Sequence, residues 1–223
     1  MFFGRENELN TLNRLYNSNK FEFAVIYGRR RVGKTALINE FTKDKDTIFF
    51  TGVETNQKQN LENFSRCIME YNIGVPVDTS FPSFQAALEY VFELAKTKRI
   101  VLVIDEYPYV ARASKSLAST LQLLIDKNKD DSKLLLILCG SSMSYMEDHV
   151  LAYKAPLYGR RNAQGGEIPC RFHGSRRFRL LLRPDLPAGS VLDAGRDGEL
   201  CARRQGARRY LYQPYPQRKL RPD

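Results

Sequence analysis

Residues 28–35, Gly-Arg-Arg-Arg-Val-Gly-Lys-Thr, constrain the fold of this chain more than any other segment. They fit the spacing G-x-x-x-x-G-K-[ST], with the apolar run 23–27 before them and an amphipathic pattern over 35–41 after them. A strand that turns through glycines into a helix directs successive backbone N–H groups at one point, where the helix N-terminus adds partial positive charge. Residues 28–35, hereafter the phosphate loop, therefore predict a phosphate-binding site rather than a plain basic turn.

The donors of such a loop are mainly backbone N–H groups, so each of its residues and the next one are candidate nucleotide contacts. The ammonium group of Lys34 is expected to reach the β- and γ-phosphates, and the hydroxyl of Thr35 is expected to hold Mg²⁺. The three arginine side chains are expected to point away into solvent, with contact to a partner subunit or an acidic ligand as the alternative. The candidate nucleotide-binding residues are Gly28, Arg29, Arg30, Arg31, Val32, Gly33, Lys34, Thr35 and Ala36.

Two carboxylates, Asp105 and Glu106, end the apolar run 100–105. Charged groups at the end of a buried strand are costly unless they serve a site. Downstream of a phosphate loop, Asp105 is predicted to be a Mg²⁺ ligand, and Glu106 the general base that activates water. The alternative is a charged turn that leaves the strand.

Residues 128–131, Asn-Lys-Asp-Asp, match the N-K-x-D spacing with which GTPases read guanine. They follow a helical pattern and precede a strand, whereas guanine-reading residues should follow a strand. The acidic motif is Asp-Glu-Tyr and not D-x-x-G. We therefore interpret residues 128–131 as a solvated helix end, and ATP is favoured over GTP.

Apolar runs and helical periods alternate along the chain up to Asn162. Strands are predicted at 23–27, 47–52, 100–105 and 134–140, and helices at 8–16, 35–41, 60–71, 83–98, 116–127 and 142–151. Ser83 is a candidate N-cap for the fourth of these helices. Strands that are apolar throughout and alternate with helices predict an α/β fold, with a parallel sheet covered on both faces.

Five segments together resemble the archaeal ATPase family, a branch of the AAA+/STAND group of P-loop NTPases. They are residues 2–12, 27–41, 103–110, 134–147 and 154–161, which include the phosphate loop and the acidic strand end. The resemblance covers the chain to about Asn162. It implies a three-layer P-loop sandwich, with ATP and Mg²⁺ as ligands and hydrolysis of ATP as the activity.

The resemblance also implies roles for three further residues. Arg5, in the segment Gly-Arg-Glu at 4–6, would lie near the adenine side of the site, the alternative being a plain helix start. Ser141, or its neighbour Ser142, would contact the γ-phosphate or the attacking water, and one of the two is expected to cap the following helix. Arg160 or Arg161 would act as an arginine finger, the alternative being a surface basic pair.

The segment after Asn162 departs from the family pattern. Arg, Gly, Ala and Pro make up 30 of its 61 residues. Residues 1–162 hold 22 Lys+Arg against 19 Asp+Glu, a net charge of +3, and residues 163–223 hold 13 against 6, a net of +7. We expect an ATPase core at 1–162 followed by an irregular basic tail. The composition suggests GC-rich coding DNA read out of frame, and the alternative is a genuine extension that binds nucleic acid.

Composition bounds the remaining possibilities. The four cysteines lie far apart with no C-x-x-C pair, which indicates reduced thiols and a cytoplasmic location. The longest apolar run, 134–140, is too short to span a bilayer, and no secretory signal is visible. Besides a Mg²⁺-dependent ATP hydrolase, the chain could be an ATP-regulated switch with little turnover or a nucleic-acid-binding ATPase. Its expected partners are ATP, with a second copy or a protein partner as an open possibility.

Overall fold

A six-stranded sheet forms the centre of the folded unit that the structure describes. The computed structural model describes residues 5–75 and 79–158 together with the backbone of two later strands, all within one compact unit, Met1–Leu186. The strands are β1 Glu22–Gly28, β2 Thr47–Thr51, β3 Ile100–Asp105, β4 Leu134–Gly140, β5 Ile168–Arg171 and β6 Arg177–Leu181. Their order is β2-β3-β4-β1-β6-β5. The neighbouring strands among β2, β3, β4 and β1 pair in parallel, which confirms the predicted α/β sheet.

Seven α-helices and one π-helical turn are present in the described part of the chain. They are α1 Glu6–Asn17, α2 Lys34–Thr42, α3 Gln57–Ile73, α4 Phe84–Thr97, α5 Tyr107–Ala113, α6 Leu117–Asn128, α7 Met143–Met146 and the π-helical turn Glu147–Leu151. All six predicted helices are confirmed, and the Ser83 side chain caps α4 by accepting a hydrogen bond from the Ala86 N–H at 3.1 Å. Helix α5 was not predicted.

The helices cover both faces of the sheet. Helices α1 and α2 pack on one face of the sheet, and α3 to α6 pack on the other. Alternate residues of each strand face the two helix layers, so the fold has three layers. Every residue of β1, β3 and β4 is buried. Fully burying one large apolar side chain stabilises the fold by about 1.5–3 kcal/mol. Side chains that carry the helix contacts are Leu12, Leu37 and Phe41 on the first face, and Phe64, Leu88, Val91 and Leu121 on the second.

The strand order brings the carboxyl ends of three strands together. β4 lies between β1 and β3, and all three run in the same direction. Gly28, Asp105 and Gly140 end these strands, so the phosphate loop, the acidic pair and Ser141 leave the sheet at one edge. Binding sites of parallel α/β sheets lie at this edge.

The sheet continues past Asn162, which the sequence did not predict. β6 pairs antiparallel with β1, with Ile26 opposite Leu180, and β5 pairs antiparallel with β6. The rest of the segment after Asn162 lies outside the described residues. The domain boundary and the reading-frame hypothesis both stay predictions.

Candidate nucleotide-binding site

The phosphate loop connects β1 to α2 through three positive backbone angles. φ is 156° at Gly28, 61° at Arg31 and 78° at Gly33. Such alternation of backbone conformation turns consecutive N–H groups to one side and forms a concave anion site. Gly33 is the N-cap of α2 and provides no side-chain cap. An added Cβ would lie 3.3 Å from the Arg5 guanidinium, in a backbone conformation that L side chains rarely adopt.

Lys34 lies almost wholly inside the loop. Its side chain is buried, and Nζ donates hydrogen bonds to the carbonyl oxygens of Gly28 at 2.9 Å and Arg29 at 3.0 Å. These two carbonyls belong to the first residues of the phosphate loop. The ammonium group therefore lies next to the backbone that is expected to bind phosphate. A buried ammonium with only neutral acceptors favours an anionic ligand.

Arg5 contacts the end of the phosphate loop through its side chain. It is 4% exposed, and its guanidinium donates hydrogen bonds to the carbonyl oxygens of Val32 and Gly33, the latter at 3.0 Å. Two donors of one planar group thereby hold consecutive carbonyls just before α2. The sequence did not predict these contacts. The expected position beside adenine stays a prediction.

The three arginines of the loop are exposed, as expected for solvated side chains. Arg30 also donates a hydrogen bond to the hydroxyl of Tyr109 at 2.5 Å. Tyr109 lies on α5, so this bond connects the phosphate loop to the helix that follows the acidic pair. Because α5 was not predicted, this contact could not be predicted either.

The hydroxyl of Thr35 and the carboxylate of Asp105 lie together. Thr35 Oγ1 donates to Asp105 Oδ2 at 2.9 Å, and Asp105 Oδ1 accepts the Glu106 N–H at 2.9 Å. Asp105 is 4% exposed, so both of its oxygens are fixed within the fold. Mg²⁺ prefers such hard oxygen donors, and adjacent oxygens of its octahedral shell lie about 3 Å apart. The Thr35–Asp105 pair therefore fits a Mg²⁺ site.

Glu106 adopts a strained backbone conformation beside Ser141. Its φ of 49° lies in the left-handed region, which costs a non-glycine residue on the order of 1–3 kcal/mol and is typical of functional sites. Glu106 Oε2 accepts the hydroxyl of Ser141 at 2.9 Å and the Ser141 N–H at 3.3 Å. Oε1 has no hydrogen bond within the described residues. Ser141 thus contacts the proposed base, a contact that the sequence did not predict.

Cys139 lies beneath this site, one residue before the end of β4. It is fully buried, and burial, followed by the neighbouring Asp105 carboxylate, raises the pKa of its thiol well above the usual range. The thiol is therefore neutral at physiological pH. It donates a hydrogen bond to the Asp105 carboxylate.

The remaining sequence candidates lie elsewhere or outside the described residues. Arg160 and Arg161 are outside them, and Ser142 is the N-cap of α7 without a side-chain cap bond. Residues 128–131 end α6 and lead into the amino end of β4, at the opposite edge of the sheet from the phosphate loop. No group of three or more metal-binding side chains exists in the described part of the chain. Nor does any helix there reach the length and apolar character needed to cross a membrane.

Comparison with known proteins finds relatives for most of this chain. A family model described as "ATPase domain predominantly from Archaea" matches residues 2–164. The uncharacterized protein MJECL04 of Methanocaldococcus jannaschii is 35% identical over 178 residues, which cover 80% of this chain and 38% of that protein. An uncharacterized ATP-binding protein of the same organism, MJ0423, is 51% identical over 45 residues, 20% of this chain and 76% of that protein.

One solved structure supports the fold. The Walker-type ATPase PABY2304 of Pyrococcus abyssi superposes with a TM-score of 0.53 at 19% identity, over 71% of this chain and 51% of that protein. At this identity the likeness concerns the fold alone. The chain spans about two fifths of the length of MJECL04 and half of PABY2304.

Proposed function

Because the chain belongs to the family of ATPase domains found predominantly in Archaea, we propose that it binds ATP with Mg²⁺ and hydrolyses it to ADP and phosphate. One observation carries the proposal: the 2.9 Å hydrogen bond between Thr35 Oγ1 and Asp105 Oδ2. It joins the phosphate loop to the acidic strand end, the two parts that a P-loop ATPase needs in contact.

Each residue of the site has a distinct part in this proposal. Lys34 exchanges its two carbonyl acceptors for phosphate oxygens, while the loop N–H groups bind the remaining oxygens. Thr35 and Asp105 hold Mg²⁺, which when bound neutralises charge on the β- and γ-phosphates. Glu106 orients the attacking water through Oε1 and accepts its proton, while Ser141 holds Oε2.

Two variants test the proposal in the full chain. Lys34→Ala removes the buried cation and should abolish binding of labelled ATP. Glu106→Gln keeps the shape of the side chain but cannot accept the proton, so ATP should bind while phosphate release falls about 10²–10⁴-fold. Lys129→Ala, an exposed lysine at the end of α6, is the matched control and should change neither value.

Two results would contradict the proposal. Binding of ATP by Lys34→Ala at the parent affinity would show that the phosphate loop is not the nucleotide site. Undiminished phosphate release by Glu106→Gln would show that Glu106 is not the general base. The proposal of nucleotide binding would not be affected by that result.

A second candidate is an ATP-regulated switch that turns over slowly. The observation that favours it is the pair of Ser141 hydrogen bonds on Glu106, because they hold the carboxylate on the protein rather than on an attacking water. Such a switch would associate with its partner in a nucleotide-dependent manner and release little phosphate. Binding of nucleic acid through the tail, self-association, an arginine finger at Arg160 and the cytoplasmic location also stay predictions.

A further inference from the structure

A cavity lies away from the phosphate loop, between α5, α6 and the π-helical turn. Its volume is about 480 Å³. Exposed basic side chains line it, namely Arg112, Lys115, His149 and Lys154, beside apolar residues such as Ala118 and Pro156. We call this cavity the α5–α6 cleft. The proposed hydrolysis of ATP uses none of its residues.

The charge of the α5–α6 cleft is unbalanced. Among the described residues that line it, Asp148 is the one acidic residue. Arg112, Lys115 and Lys154 form no ion pair with any carboxylate in the described part of the chain. Three cations gathered around one concavity without acidic partners favour an anionic ligand.

Aromatic stacking fixes one wall of the cleft. The rings of Tyr145 and His149 lie parallel, with their centroids 4.3 Å apart and an interplanar angle of 3°. The Arg112 guanidinium lies 4.9 Å from the centre of the Tyr145 ring. These contacts join α5 to α7 and the π-helical turn, and single π-helical turns are often found at functional sites.

Two exposed apolar side chains lie close along the chain to residues that line the cleft. Leu123 is 69% exposed and lies one helical turn beyond the lining residue Ser119 on α6. Tyr153 is 82% exposed and directly precedes the lining residue Lys154. Apolar residues next to a basic concavity suit a ligand that carries both carboxylates and apolar side chains.

We infer that the α5–α6 cleft docks an acidic, partly apolar peptide segment of a protein partner. A nucleic acid fits less well, because its affinity comes from many phosphate contacts spread over a broad basic face. The charge of residues 1–162 is only +3, and the cleft is a partly apolar concavity of a size typical for pockets. Carboxylate groups of the peptide would pair with Arg112, Lys115 and Lys154, and its apolar side chains would cover Leu123 and Tyr153.

The walls of the cleft are continuous with the ATP site. α5 begins directly after Glu106, and α7 begins two residues after Ser141. The two helices meet at Gly140, where an added Cβ would lie 2.8 Å from Met146 Sδ and 2.9 Å from Pro108 Cδ. A peptide that moves α5 against α7 would therefore change the Glu106–Ser141 contact. This coupling, unlike the docking itself, rests on the proposed ATPase function.

The test measures docking and turnover separately on the full chain. The probe is a short fluorescein-labelled peptide of Glu and Leu residues, and its binding is followed by fluorescence anisotropy without nucleotide. The variant K115E/K154E reverses two cleft charges. The variant K127E/K129E reverses two exposed lysines at the end of α6 and is the matched control.

We expect the probe to bind the parent and the control equally, and K115E/K154E at least tenfold more weakly. Phosphate release should change on addition of the probe to the parent but not to K115E/K154E. Equal weakening in the control would overturn the proposal, as would absence of probe binding or tighter binding of an oligothymidylate than of the peptide. Fluorescence anisotropy measures peptide binding without ATP hydrolysis. The docking proposal can therefore be tested even if the ATPase proposal fails.

Discussion

At the scale of single residues, Glu106 combines backbone strain with a specific contact. Its left-handed conformation places the N–H on Asp105 Oδ1 and the carboxylate on Ser141. The position of both carboxylates at a strand end predicted their proximity to the phosphate loop. Periodicity and spacing do not tell which side chains form hydrogen bonds with each other. Neither the Glu106–Ser141 contact nor the hydrogen bonds of Arg5 to the phosphate loop could therefore be predicted.

Ser141→Ala tests whether the Glu106–Ser141 contact positions the base or restrains it. The substitution removes the 2.9 Å hydroxyl bond, and a hydrogen bond to a charged group is worth about 1.5–3 kcal/mol. We expect phosphate release to fall about tenfold with ATP affinity unchanged, because Glu106 loses its orientation. Ser142→Ala is the matched control and should have little effect, since its side chain makes no capping bond. Faster release from Ser141→Ala would instead favour the switch.

At the scale of elements, helices and strands are predicted best where one face of the element, or the whole element, is buried. Strands β1, β3 and β4 are apolar throughout, and the long helix α4 shows a clear period with Ser83 as its cap. Helix α5 escaped prediction because it is short, carries Pro108 in its first turn and follows β3 without a loop. Strands β5 and β6 were not predicted because they are only four and five residues long and contain Arg or Pro. Such segments show no clear alternation of apolar and polar residues.

Arg99 joins three elements at the edge of the sheet opposite the site. Its guanidinium donates to the carbonyls of Leu15 at the end of α1, Lys20 before β1 and Lys133 before β4. Burial lowers the pKa of Arg99 to about 10, so the side chain stays charged at neutral pH. Its three acceptors are backbone carbonyl oxygens of three different segments.

Arg99→Met should therefore destabilise the fold without altering the ATP site. The variant keeps the apolar stem but leaves three carbonyls without their charged donor, at a cost of about 2–4 kcal/mol. Urea unfolding followed by circular dichroism measures the loss as a lower midpoint at an unchanged slope. Arg66→Met, at an exposed position of α3, is the control and should stay within about 0.5 kcal/mol of the parent. An unchanged midpoint for Arg99→Met would show that water replaces the guanidinium.

At the scale of the whole molecule, the sheet extends beyond the residues that match the family model. The family match extends over residues 2–164, yet the sheet includes strands up to Leu181. Excess positive charge is concentrated after Asn162, in the segment whose composition suggests an altered reading frame. Translation of the coding DNA in the other two frames would test that hypothesis directly, because a correct frame should continue the amphipathic pattern.

Two shortened chains would show what the segment after Asn162 contributes to folding. Ending the chain after residue 162 removes β6, and β1, buried along its whole length, becomes an edge of the sheet. An apolar edge strand promotes association between copies. Ending the chain after residue 186 keeps both later strands and all described residues.

The two truncations should therefore behave differently. Four residue pairs join β1 to β6, and at about 1 kcal/mol per hydrogen bond their loss should lower the unfolding temperature by about 10 °C. Light scattering should detect aggregates of the 1–162 chain and a single species for 1–186, which should bind ATP like the parent. Equal stability and solubility of both chains would show that β1 does not depend on β6.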